Sequence, residues 1–95
     1  MAVEFREGFE RYGLKVRIAM HILDEVVPKI LNTGVFIGER IATAFSWIGF
    51  VCKYRPAKCS DLNTDVSKWS QEELKKVARK LIEFASELLV PALKS

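Results

Sequence analysis

Few side chains in this 95-residue sequence could carry out chemistry, and the histidine is the first to consider. His21 is the only one, and imidazole is the side chain that most often serves as a general acid or base near neutral pH. His21 stands one residue before Ile22, and no cysteine or serine lies near it along the helix. We therefore interpret His21 as an ordinary surface or boundary residue.

Cys52 and Cys59 are the only cysteines. Their spacing matches no zinc or redox motif, and a metal site needs three or four converging ligands, which the sequence does not supply. Two reduced thiols are the simplest expectation for a cytosolic chain. A disulfide between them stays open as an alternative, because Pro56 would let the chain fold back after a helix.

The acidic pairs Asp24–Glu25 and Glu72–Glu73 are adjacent in sequence, so their members point in different directions from a helix. A catalytic carboxylate pair would have to converge in one pocket, and the second pair suits the start of a helix, where the dipole favours negative charge. Gly34 and Gly38 lack the lysine and the strand of a phosphate-binding loop. We expect no enzyme, no metal site and no cofactor.

Composition limits the chain to one domain and disfavours two kinds of partner. The 15 basic and 12 acidic residues are scattered along the sequence, without the basic block that grips nucleic acid. The longest uncharged stretch, residues 41–52, is shorter than the ~20 apolar residues of a membrane-spanning helix. Charged residues within the first eleven positions interrupt any signal-peptide core. We expect a single domain over residues 1–95, without a membrane anchor, in the cytoplasm.

The first helix is expected between Leu14 and Leu31. Apolar residues recur there in pairs every four positions, which draws one stripe along an amphipathic helix. Pro28 removes a backbone donor and crowds the preceding turn, so we expect a kink or a helix boundary near Asp24 to Pro28. Residues 32–34 should close the segment.

The second helix is the most apolar part of the chain. Residues 35–54 carry apolar side chains on nearly every side, and a helix with this pattern is normally enclosed by others. The sequence therefore predicts an all-α fold, a compact helical bundle around a hydrophobic central helix. Because so short a chain offers few neighbours to cover that helix, we also expect a homodimer.

A loop over residues 55–68 should precede the last helix, which has the clearest start signal. Ser70 can cap the Glu73 amide while Glu73 reaches back, and Trp69 can pack against Leu74. From Leu74 onwards one apolar face continues at helical spacing.

The turn and the central helix carry a recognisable spacing. Gly34 stands six residues before Arg40, Ile41 follows the arginine, and Trp47 takes an aromatic position seven residues after it. This pattern resembles the first homology motif of the Bcl-2 family of apoptosis regulators, although Ile37-Gly38-Glu39 replaces the usual Asn-Trp-Gly and no second motif follows. The resemblance covers roughly residues 24–90 and is densest from 30 to 53.

The resemblance implies a shortened Bcl-2-like fold, plausibly a virus-encoded mimic, that suppresses cell death. Such a protein would sequester amphipathic BH-3 helices of pro-apoptotic partners in a hydrophobic groove. Arg40 would pair with the aspartate of the ligand helix, because a guanidinium can meet a carboxylate in two parallel hydrogen bonds. Carried over residue by residue, the groove would be lined by Val26, Val27, Ile30, Leu31, Gly34, Thr43, Ala44 and Trp47.

Simpler interpretations stay open beside this one. Val26, Ile30 and Leu31 can be plain core residues, and Arg40 can form a surface ion pair with Glu39 or Glu10. A small helical scaffold that only forms its own oligomer is a second hypothesis. A membrane-perturbing, pro-death relative is a third. The resemblance would place the protein in the cytoplasm, reaching mitochondria through its partners.

Overall fold

The computed structural model describes residues 13–63 and 65–94. This part of the chain contains three helices and no strand: α1 over residues 13–31, α2 over Ile37–Tyr54 and α3 over Gln71–Lys94. The predicted all-α class is confirmed. The charged residues near the N-terminus, and with them Glu10 as a partner of Arg40, lie outside the described residues.

Helix α1 is not a regular α-helix throughout. Ile22–Val26 form a π-helical turn, in which the amide of Val27 donates to the carbonyl of Ile22, five residues earlier. This wide turn lies directly before Pro28, which has no amide hydrogen with which to continue α-helical bonding. The helix is therefore irregular next to Pro28, as predicted, but it does not end there and continues to Leu31.

A tight turn joins α1 to α2. The side-chain oxygen of Asn32 accepts a hydrogen bond from the Gly34 amide at 2.9 Å, and its carbonyl accepts one from the Val35 amide at 3.0 Å. Asparagine favours turns because its side chain can bond to its own backbone two residues on. Helix α2 then begins at Ile37, two residues later than the apolar pattern predicted.

The three helices meet in one core. Helix α3 contributes six of its fifteen residues, more than any other helix, at spacings of three and four that keep them on one side of the helix. Burying one of these larger side chains stabilises the fold by about 1.5–3 kcal/mol. The core consists of Ala19, Ile22, Val26, Val27, Ile30, Ala44, Ile48, Val51, Trp69, Leu74, Val77, Ala78, Leu81, Phe84 and Ala85.

Helix α2 is buried on one side only. Its buried residues are Arg40, Ala44, Ile48 and Val51, at the spacing of a single helical face. Among the described residues α1 and α3 cover one face of this helix and leave the other open, so a single copy does not enclose it, and the expected cover by a second copy stays a prediction. Large apolar side chains such as Phe45, with 54% of its surface exposed, remain accessible there.

A disulfide joins Cys52, in the last turn of α2, to Cys59, at the end of a 3-10 turn over Pro56–Cys59. The two Cα atoms are 5.9 Å apart, because the chain folds back at Pro56. The simpler expectation of two reduced thiols is wrong, and the alternative that stayed open is the one the structure shows. Disulfides are typical of oxidising compartments, so this bond does not favour the cytoplasmic location expected from the sequence.

Ion pairs fix the connection between α2 and α3 to the outer side of α3. The ammonium of Lys58 lies 3.3 Å from a carboxylate oxygen of Glu83 and 3.0 Å from one of Glu87. Hydrogen bonding from Lys58 lowers the pKa of Glu87, and the same bond raises the pKa of Lys58. Further along, the indole of Trp69 donates to the Asn63 carbonyl at 2.9 Å, which orders the end of the loop.

The start of α3 only partly follows its sequence signal. The carbonyl of Ser70 accepts the first helical hydrogen bond, from the Leu74 amide at 3.0 Å, and Trp69 and Leu74 are both buried as the predicted apolar staple requires. Glu73, however, turns forward to Lys76, 3.4 Å away, and its other oxygen is buried with no hydrogen-bond partner among the residues that the structure describes. The predicted reach of Glu73 back to Ser70 is therefore wrong.

Candidate functional site

The residues predicted to line a partner-helix groove do not share one accessible surface. Half of them lie in the core, where α1 and α2 pack against α3: Val26, Val27, Ile30 and Ala44. In this arrangement a second helix could not touch them, so their placement in a groove wall is corrected to core packing. The others reach the surface in two places, Leu31 and Gly34 at the α1–α2 turn, and Thr43 and Trp47 partway along α2.

Arg40 is buried as deeply as the apolar residues around it, with 3% of its surface exposed. Its Nε donates to the Ile30 carbonyl at 2.8 Å, and a terminal nitrogen donates to the side-chain oxygen of Gln71. It therefore forms no surface ion pair with Glu39, and its side chain is not exposed where a ligand helix could present an aspartate.

The position of Arg40 has a direct physical reason. The last carbonyls of a helix lack helical partners and carry a partial negative charge, and Ile30 lies in the last turn of α1. From the first turns of α2, Arg40 thus donates one hydrogen bond to a carbonyl at the end of α1 and another to Gln71 at the start of α3. We interpret it as a positioning residue for three helix ends. A lone arginine in an apolar helix, soon after a short turn, is the sequence signal for such a role.

The accessible apolar surface lies on another side of α2. A pocket of about 300 Å³ opens between α1 and α2 and is lined by Ile18, Ser46, Trp47 and Phe50. Of the predicted site residues only Trp47 belongs to it. Sequence reasoning missed Ile18 and Phe50, because their spacing is equally typical of core residues.

Aromatic rings extend this pocket along α2. We call Trp47, Phe50 and Tyr54 the aromatic row. Ring centroids are 6.2 Å apart between Trp47 and Phe50 and 5.4 Å apart between Phe50 and Tyr54. The row is supported at both ends, since the ring centroid of His21 lies 5.5 Å from that of Trp47 and the centroid of Phe84 lies 6.3 Å from that of Tyr54. Their mutual packing holds these rings in place while part of each stays exposed.

His21 borders the row without the features of a catalytic group. Its Nδ1 lies 3.2 Å from a carboxylate oxygen of Glu25 one turn further along α1, and both side chains are largely exposed. The predicted surface or boundary role of His21 fits this position. Within residues 13–63 and 65–94, no three His, Cys, Asp or Glu side chains are grouped so that they could hold a metal ion.

The helices of the described chain are also too short or too polar to cross a membrane, which we report for these residues alone.

No protein-family model matches this sequence, and no curated protein or solved structure is significantly similar to it. The Bcl-2-like resemblance is therefore supported by the residues of the motif alone.

Proposed function

We propose that this chain is a Bcl-2-like interaction protein that binds the amphipathic BH-3 helix of a pro-apoptotic partner and thereby suppresses cell death. We place the binding surface at the aromatic row and its pocket. The observation that supports this best is that three of the four residues lining an open apolar pocket, Ser46, Trp47 and Phe50, belong to residues 30–53, where the family resemblance is densest.

The chemistry of the surface suits the apolar face of a helix. An amphipathic helix presents large side chains at i, i+3, i+4 and i+7, and a pocket of about 300 Å³ has room for one such side chain beside Trp47. Phe50 and Tyr54 continue the surface in the direction of the α2 axis, at spacings of three and four residues. A few aromatic contacts of this kind usually provide most of the binding energy at an interface.

This proposal changes the role of Arg40. In the family pattern the arginine meets the aspartate of the ligand, but here the guanidinium is already bonded to Ile30 and Gln71 inside the protein. A ligand at the aromatic row would not reach it. Substituting Arg40 should therefore affect folding first and binding only as a result.

Calorimetric titration with a panel of BH-3 peptides tests the proposal. We expect one or more peptides to bind, and Phe50→Ala to weaken binding roughly tenfold, since one anchor side chain contributes on the order of 1.5 kcal/mol. Phe36→Ala is the matched control, because Phe36 is 75% exposed at the start of α2 and outside the pocket. No binding at tens of micromolar peptide, or equal losses in both variants, would count against the proposal.

A scaffold protein that uses its surface only for its own oligomer is a second candidate, favoured by the open face of α2. Sedimentation that shows a tight dimer unaffected by every BH-3 peptide would support it over helix capture.

A further inference from the structure

The outward face of α2 is lined by small residues. Gly38, Ala42, Ser46 and Gly49 are all exposed, and their spacings of four, four and three residues place them in one line along the helix. Phe45 and Phe50 stand on either side of this line and are also partly exposed. We call these four small residues the outer line. It faces away from the core and is exposed along its length, although the Phe36 ring lies beside Gly38.

Gly49 has no visible purpose within the folded chain. Glycine in a helix interior destabilises the helix relative to alanine, yet a Cβ atom at Gly49 would meet nothing within 4 Å. Gly38 differs, because a Cβ there would lie 2.8 Å from the ring of Phe36. The space at Gly49 is needed only if another backbone approaches α2 from outside.

Charges at the two ends of α2 indicate which partner packs against this face. Glu39 lies in the first turn and Lys53 in the last turn, and both are exposed. Within the described chain neither forms an ion pair. They are fourteen residues apart, or about 21 Å along the helix axis, with Ser46 midway between them.

We propose that α2 packs antiparallel against α2 of a second copy of this chain, with the two-fold axis near Ser46. This arrangement places Glu39 of each copy opposite Lys53 of the other, so one symmetric contact forms two ion pairs. A parallel arrangement would place like charges side by side, which is unfavourable. Charge complementarity thus favours a second copy of the chain as the partner and an antiparallel orientation of the two α2 helices.

The same antiparallel register explains why the residues of the outer line are small. With Ser46 at the axis, Gly49 of one copy faces Thr43 of the other and Ala42 faces Phe50, and small residues at the crossing allow helix axes to approach to about 8 Å. Phe45 and Phe50 of both copies would then close over the crossing from the two sides. This face overlaps the pocket, because Ser46 and Phe50 also line it, so a bound peptide and a second copy would compete for the same side of α2.

Sedimentation equilibrium from low to high micromolar concentration tests the proposal. We expect a reversible dimer that Gly49→Leu weakens more than about a hundredfold, because the added side chain separates the helices. Nothing lies near Gly49 within one copy, so this variant should fold, which circular dichroism can check. Gly49→Ala is the matched control for helix stability and should weaken the dimer far less.

Charge reversal provides a test that does not depend on packing. Lys53→Glu should weaken the dimer roughly thirtyfold, since two mild attractions become two mild repulsions. Adding Glu39→Lys to the same chain should restore most of the affinity, because the pairs form again with opposite signs. A monomer at every concentration would overturn the proposal, as would a dimer that either variant leaves intact or that the double reversal fails to restore. Peptide titration of the double variant separates this outcome from failure of the proposed function.

Discussion

Substituting Arg40 is the perturbation for which the structure makes the sharpest prediction. Arg40→Ala removes two hydrogen bonds from a charged donor and leaves the Ile30 carbonyl without its partner in the interior. It also removes the aliphatic stem of a side chain that is almost fully buried. Both losses act at the point where α1 ends and α3 begins.

The size of the effect follows from these losses. A hydrogen bond to a charged group contributes about 1.5–3 kcal/mol, and each buried methylene contributes about 0.8 kcal/mol. The substitution also removes the free-energy cost of burying the charged guanidinium, which offsets part of this sum. We expect Arg40→Ala to lower the free energy of unfolding by about 3–5 kcal/mol, which for a domain of this size lowers Tm by roughly 15–25 °C. That is a large part of the stability of a small domain.

Urea unfolding followed by circular dichroism measures this difference directly. Arg40→Met keeps most of the apolar stem, so it should recover about 2 kcal/mol of the loss and isolate the hydrogen bonds. Arg55→Ala is the control, because Arg55 is exposed and its ion pair with Glu87 should contribute under about 1 kcal/mol. If Arg40→Ala and Arg55→Ala unfold at the same urea concentration, Arg40 does not hold the helix ends.

Other predictions concern the far end of α2 and its glycine. Reducing the Cys52–Cys59 bond should lower the free energy of unfolding by about 2.5 kcal/mol, the entropy of closing a loop of about eight residues, and a double serine variant should not respond to reductant. The pKa of Glu87 is lowered from its ordinary 4.5 by the hydrogen bond from Lys58, so stability present above pH 4.5 should decline as pH falls through the lowered pKa. Lys58→Met should flatten that decline in urea unfolding. Gly49→Ala should raise stability by about 1 kcal/mol, provided it is measured on monomer.

The helices themselves could be predicted because periodicity reports which face of a helix is apolar. The apolar face of α3 and the disturbance at Pro28 follow from spacing and from the missing amide of proline. Both depend on residues close together in the sequence.

The candidate site could not be predicted in the same way. Val26 and Ile30 would show the same spacing in a groove wall as in a core, and only the placement of α3 decides between the two. The burial of Arg40 depends likewise on Gln71, thirty-one residues further along. The apolar character of α2 indicated that it needs more neighbours than one chain offers, but not which of its faces α1 and α3 would leave open.

The wide turn in α1 holds one residue more than an α turn within a single turn of the helix. It therefore absorbs that residue and keeps the two flanks in phase, so that Ala19 still faces the core while Ile18 faces the pocket. Deleting one amino acid within Ile22–Val26 would leave an ordinary α turn and keep both flanks seated. The same deletion between Ala19 and Ile22 would rotate the upstream flank by about 100°, and the pocket would lose its α1 side.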